Sequence, residues 1–299
     1  MSGAVSLSVD AAGIAELRWD NPARKVNVFS AEAIEDFAAL VARITSDDSI
    51  RGVMITSGKS VFHAGADLNM VSGFFDLSPA ELWQIMSKIM ASFYQLETCG
   101  KPVVAALNGH CLGGGFEMAL AAHARFAVDD PKIRIGLPEA GLGLMPGFGG
   151  TQRMARIAPW QQAARDIIEG RCYDPQTAAS LGLVDGVVPA EGLEAAARDW
   201  LFCAQDAAQP WMRRGYRPPG ASAGYDDFFA VFNAGLSRDG IDAWPERRLI
   251  AETLYHGLQL PIEPALRHEV RCFIELAGMP EVRHTMRQRF FGDAPQEAG

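Results

Sequence analysis

The sequence predicts an α/β protein that continues into a C-terminal helical subdomain, and three observations carry this expectation. Short apolar runs alternate with helically spaced segments through the first third of the chain. After about Trp160 the pattern turns mainly helical. Beyond the Gly/Pro-rich stretch 215–224 only helical spacing remains, which places a boundary near Gly220. The expected division is a core over 1–220 and a helical region over 221–299.

Taken in order, residues 6–10 and 15–19 read as short strands, and 31–44 has the helical spacing of Ala, Ile, Phe, Leu and Val. GVMITS (52–57) suits a buried strand ended by Gly58, and the loop KSVFHAGADL (59–68) follows. Residues 79–96 read as an amphipathic helix and 103–107 as another buried strand. Asp174 is an N-cap candidate for a helix over 175–181, since its carboxylate can accept from a first-turn amide while Pro175 needs no partner. A helix over 192–204 and apolar clusters at 228–232, 249–260 and 272–276 complete the reading. The chain has no internal repeat or low-complexity tract.

Acidic residues outnumber basic ones, 36 to 27, and the net charge of −9 argues against a general nucleic-acid binder. Apolar residues at 48% can build a large core. Cys99, Cys111, Cys172, Cys203 and Cys272 are scattered without a CxxC pair, which fits reduced thiols in a cytoplasmic protein. The N-terminus lacks the pattern of a signal peptide, and the longest stretch without Asp, Glu, Lys or Arg, 102–116, is too short and glycine-rich for a membrane span.

The informative stretches hold isolated carboxylates. Between Pro102 and Ala122, His110 aside, the only acidic or basic residue is Glu117, on a helix opening at Gly113–Gly115 with apolar residues all round. Such a helix is expected to be buried, and a buried carboxylate needs a partner, a hydrogen bond or a proton. The segment 135–152 holds six glycines, two prolines and one charge, Glu139. Together the two glutamates suit general acid–base work. Taken alone, Glu117 can be a solvated helix residue and Glu139 a cap. The glycines before the helix leave unpaired N–H groups at its positive end, a place to stabilise an oxyanion, or else mark only a turn. In the loop 62–68, small residues let a second amide reach a carbonyl; the plainer reading is a turn at Gly65 and a cap at Asp67. No P-loop, GxSxG or HExxH is present, so phosphate-loop, serine-hydrolase and zinc chemistry lack support, and no metal is expected.

Taken together, FHAGADL (62–68), KPVVAALNGHCLGGGFEMALAAH (101–123) and GLPEAGLGLMPGFGGTQR (136–153) resemble the crotonase (enoyl-CoA hydratase/isomerase) superfamily, over about residues 6–188. LYHGLQLPIEPALRHEVRCFIEL and TMRQRFF (254–276 and 285–291) are similar to the tail of the hydratase domain in multifunctional fatty-acid oxidation proteins. The resemblance implies a crotonase-like spiral of ββα units followed by helices that form a homotrimer or a dimer of trimers. It implies an oxyanion hole from the amides of Ala66 and Gly114, with Glu117 and Glu139 as the catalytic pair. Ala64, Asp67 and Leu68, with Arg24 and Val26 of NPARKVN, fall where CoA is contacted, and Pro138 and Gly147 where the acyl group lies. The implied reaction is syn hydration of a trans-2-enoyl-CoA. Alternatives are Δ3,Δ2-enoyl-CoA isomerisation or a non-catalytic acyl-CoA-binding subunit. No cofactor is expected, CoA being part of the substrate, and no NAD chemistry; a dehydrogenase or thiolase is a possible partner.

Overall fold

The computed structural model describes residues 3–204, 206–220, 224–238, 240 and 243–291. Strand β1 (Val5–Val9) turns back on β2 (Ile14–Trp19) as an antiparallel pair, Val5 opposite Trp19 and Val9 opposite Ala15. Helix α1 (Ala31–Ser46) follows, capped by the Ser30 side chain, which accepts from Ala33 N–H at 3.2 Å. The chain then enters β3 (Gly52–Ser57), parallel to β2. Helix α2 (Leu68–Phe74), which begins where the loop 59–68 ends and has no counterpart among the expected elements, starts on the Asp67 carboxylate. Helix α3 (Pro79–Thr98) begins with a capping box between Ser78 and Glu81.

Next come β4 (Val103–Leu107), the two-residue β5 (Cys111–Leu112), helix α4 (Gly114–Ala121), β6 (Ala124–Val128) and the two-residue β7 (Ile135–Gly136). Helices α5 (Gly150–Ile157) and α6 (Trp160–Glu169) precede β8 (Cys172–Tyr173), α7 (Pro175–Ser180), β9 (Gly186–Val188) and α8 (Leu193–Cys203). Asp174 caps α7 as expected, accepting from Thr177 N–H at 3.0 Å. The stretch after Trp160 is therefore less uniformly helical than its composition implies, since β8 and β9 lie within it. Both are too short to show a two-residue alternation.

The remaining helices are α9 (Tyr225–Arg238), α10 (Pro245–Gly257), α11 (Ile262–Ala277) and α12 (Pro280–Phe291). Residues 221–223, beside the expected boundary, and 292–299 lie outside the described residues.

Six strands form one sheet in the order β1-β2-β3-β4-β6-β9, parallel from β2 onward; β5, β7 and β8 form a second, small sheet. Strand β4 shows why its residues are all apolar. Val103, Ala105 and Leu107 enter the main core, while Val104 and Ala106 enter a smaller one made with Leu193, Ala197 and Leu201 of α8. Helices α10 and α11 pack against α5, and α11 also packs against α3. Among the described residues no helix is long and apolar enough to cross a membrane.

Candidate active site

The small sheet sets the site's geometry. Strands β5 and β7 pair in parallel, Cys111 opposite Ile135 and Leu112 opposite Gly136, so the chain leaves both in one direction. One exit is Gly113 and the start of α4; the other is Leu137, then Pro138 and Glu139. The Gly113 N–H donates to the Gly136 carbonyl at 2.9 Å and ties the exits together. Gly113 has φ +52, and a Cβ there would stand 2.8 Å from Glu139 Oε1, so a side chain would be strained and would strike the carboxylate.

All of α4 is buried, as its uniformly apolar composition requires, and Glu117 is 1% exposed. Its Oε1 accepts from the amides of Phe148 at 2.8 Å and Gly150 at 2.7 Å. Glu139 opens a short 3-10 turn, Glu139–Leu142. Among the described residues its buried Oε2 has no hydrogen-bond partner. Both carboxylates line one cavity with Ala66, Gly114, Pro138 and Phe148.

Two amides in this cavity are free, and the backbone pattern explains why. From His63 to Asp67, four N–H groups are used: His63 to His110 O, Ala64 to Asn27 O, Gly65 to His63 Nδ1, and Asp67 to Phe29 O. Phe29 N–H also donates to Gly65 O, so the bridge to Phe29 uses the neighbours of Ala66 and turns the Ala66 N–H away from it. Gly114, at the first position of α4, has no intrahelical acceptor. Among the described residues, neither amide has a protein acceptor. The two segments run side by side: a Cβ on Gly65, the residue before Ala66, would lie 3.4 Å from Gly114 N.

Electrostatics separate this site from ordinary surface carboxylates. Burial pushes the Glu139 carboxyl up to about 8, and the charge of Glu269 adds to the rise. Burial first, then the charges of Glu269 and Glu139, hold Glu117 well above the carboxylate range, against the lowering effect of its two amide donors. Such a coupled pair gives up its protons in separate steps, so one carboxyl can stay protonated while the other is ionised at a pH where two exposed glutamates would both have lost theirs. His63 is fully buried and driven down to about 3, so it is neutral and acts as an acceptor for the Gly65 amide. That gives the otherwise unassigned His63 a structural part, holding the loop that presents Ala66.

Of the residues expected to meet substrate, Ala64, Ala66, Leu68, Gly114, Glu117, Pro138, Glu139 and Gly147 line the cavity. Arg24, Val26 and Asp67 are not among its lining residues. Asp67 caps α2 through Asn69 N–H at 3.0 Å and pairs with Arg24 at 2.6 Å, so the two hold each other beside the loop. Glu252, His268 and Cys272 bring potential metal-ligand atoms within 4.8 Å of one another, but none lines the cavity.

Sequence reasoning missed two contributors from α11, Phe273 on the cavity wall and Glu269 behind the 148–151 turn. A usable signal was present. Leu266, Val270, Phe273 and Leu276 mark the apolar stripe of α11, and position 269 falls on it, three after Leu266 and four before Phe273.

The enoyl-CoA hydratase/isomerase family model matches residues 10–211. Fatty acid oxidation complex subunit alpha of Idiomarina loihiensis is 35% identical over 298 residues, covering 96% of this chain and 41% of that protein. The chain therefore spans less than half the length of that relative. A crystal structure of an enoyl-CoA hydratase from Bacillus anthracis is 25% identical, covers 96% of this chain and 95% of that one, and has a TM-score of 0.61. Human mitochondrial delta3-delta2-enoyl-CoA isomerase, 24% identical with 96% of both chains covered, shares the fold with a TM-score of 0.67.

Proposed function

The chain belongs to the enoyl-CoA hydratase/isomerase family, and from that premise we propose that it catalyses reversible syn addition of water to a trans-2-enoyl-CoA. The observation that carries the reading is the meeting of two buried glutamates and two unpaired amides on one cavity. Ala66 and Gly114 N–H bind the thioester carbonyl oxygen and stabilise the negative charge that grows on it; a donor of this kind contributes roughly 3–4 kcal/mol in other enzymes. The reactive form of the coupled pair holds one proton: with that proton on Glu139, the Glu117 carboxylate, steadied by its two amide donors, takes a proton from water as the water oxygen bonds to C3. Glu139, whose raised pKa keeps it protonated near neutral pH, gives its proton to C2.

The products are a 3-hydroxyacyl-CoA and a proton to be returned from Glu117 to Glu139. Electrophilic activation comes from the amides, so the proposed reaction needs neither metal nor redox cofactor. We further propose that the chain works in fatty-acid oxidation as a trimer or dimer of trimers, its product passing to a dehydrogenase; sedimentation equilibrium tests the assembly.

The enzymatic test follows loss of the conjugated enoyl-thioester absorbance. Glu117→Gln and Glu139→Gln are each expected to lower kcat by about 10²-fold or more. Wild-type turnover in either variant contradicts the two-carboxylate assignment. Offering a 3-enoyl-CoA and recording the rise of conjugated product measures isomerisation by the same site.

A further inference from the structure

Four consecutive amides, at 148, 149, 150 and 151, serve two carboxylates in alternation. Phe148 and Gly150 N–H donate to Glu117 Oε1, while Gly149 N–H donates to Glu269 Oε1 and Thr151 N–H to Glu269 Oε2. The Thr151 hydroxyl adds a further bond to Glu269 Oε2. Gly149, at φ +103, supplies the left-handed backbone of this turn; a Cβ there would collide with the Arg153 guanidinium and with Leu266. On the other side, Arg153 donates to Phe148 O at 3.0 Å and pairs with Glu97 of α3, both side chains fully buried.

We propose that Glu269 is a positioning residue for Glu117, clamping alternate amides of the turn so that the other two aim at the Glu117 carboxylate. Glu269 is 0% exposed on an otherwise apolar stripe, a placement that would be strongly destabilising without its three donors. Its neighbours show that its partners are this turn. Arg153, whose charge also acts on Glu269, makes its ion pair with Glu97, and Glu139 and Glu117 are themselves acids. Glu269 is thus anchored by the backbone that also holds Glu117, and its charge is one of the causes that raise Glu117.

The kinetic arm of the test rests on the hydration reading; a second arm does not. Glu269→Gln keeps the volume but sets an amide N–H₂ against a backbone or hydroxyl donor. It is expected to lower kcat by about tenfold or more while KM stays within about threefold. Added to Glu117→Gln, measured at high enzyme concentration, it should change kcat by less than about twofold, because its effect passes through Glu117. In hydrogen exchange followed by mass spectrometry, peptides covering 145–154 should exchange faster in Glu269→Gln, with those over the sheet unchanged. Wild-type kcat with wild-type exchange overturns the proposal, as do kcat losses that multiply in the double variant. A wild-type chain inactive on every trans-2-enoyl-CoA sinks the hydration reading instead, and exchange alone then decides the positioning. Should Glu269→Gln fail to fold, Thr151→Val removes one donor. It is expected to lower kcat about threefold and speed exchange in the same peptides, and no change in both overturns the proposal.

Discussion

Glu139 carries opposite consequences for stability and for chemistry. Its folded pKa of about 8 lies above the ordinary 4.5, so the folded state holds a proton that the unfolded chain releases. Stability from this group is fully present below about pH 4.5 and is lost as pH rises towards 8. Glu139→Gln removes the penalty, and we expect its Tm at pH 8 to exceed that of the wild type by about 3 °C or more, with little difference at pH 4.5. Hydration should fall in the same variant. A scan showing equal or lower Tm at pH 8 contradicts the protonated-acid account. Glu117 was legible because it stands alone among apolar residues from Pro102 to Ala122. Glu269 was harder to single out: it falls on the apolar stripe of α11, but His268 and Arg271 beside it make the local sequence look like an ordinary solvated face.

The loop 63–67 and helix α11 act as units. In the loop every amide but that of Ala66 is tied down, so its free donor is held by its neighbours. Gly65→Ala would place a methyl 3.0 Å from the Leu112 carbonyl at φ +97, and we expect it to lower kcat by about tenfold or more through displacement of the Ala66 amide. Steady-state kinetics checks this; a variant with wild-type kcat would sink the loop's assigned part. Helix α11 supplies Phe273, packed edge-on against Phe74 at 6.3 Å between ring centres. Phe273→Ala is expected to destabilise by about 3 kcal/mol and to shift preference towards longer acyl chains. Urea unfolding and a panel of enoyl-CoA chain lengths measure the two effects. The long elements were readable from periodicity. The two-residue strands β5 and β7, which bring Gly113 and Glu139 together, were not, because their pairing depends on partners distant in sequence.

At the scale of the molecule, the small sheet places two chain exits side by side, and helix α11 supplies Phe273 to the cavity they border. The α/β class followed from alternating strand and helix signals, and the motif blocks pointed to the family that the comparisons establish. The helical region was legible as helices, but periodicity cannot report which element a helix packs on, and α11 packs on α3 and α5 beside the cavity. A chain ended at residue 260 would uncover the apolar partners of Leu266, Val270 and Phe273 and leave the Gly149 and Thr151 amides unpaired. We expect it to lose cooperative unfolding and all hydration even with Glu117 and Glu139 present; a truncated chain that melts and turns over like the full one contradicts this. The most direct measurement of the central claim is the ultraviolet absorbance of a trans-2-enoyl-CoA mixed with the purified chain alone, without metal or nicotinamide. The account predicts rapid loss of the conjugated band, slowed by about 10²-fold or more in Glu117→Gln and Glu139→Gln. A band that stays unchanged with the wild-type chain across short, medium and long acyl groups would contradict it.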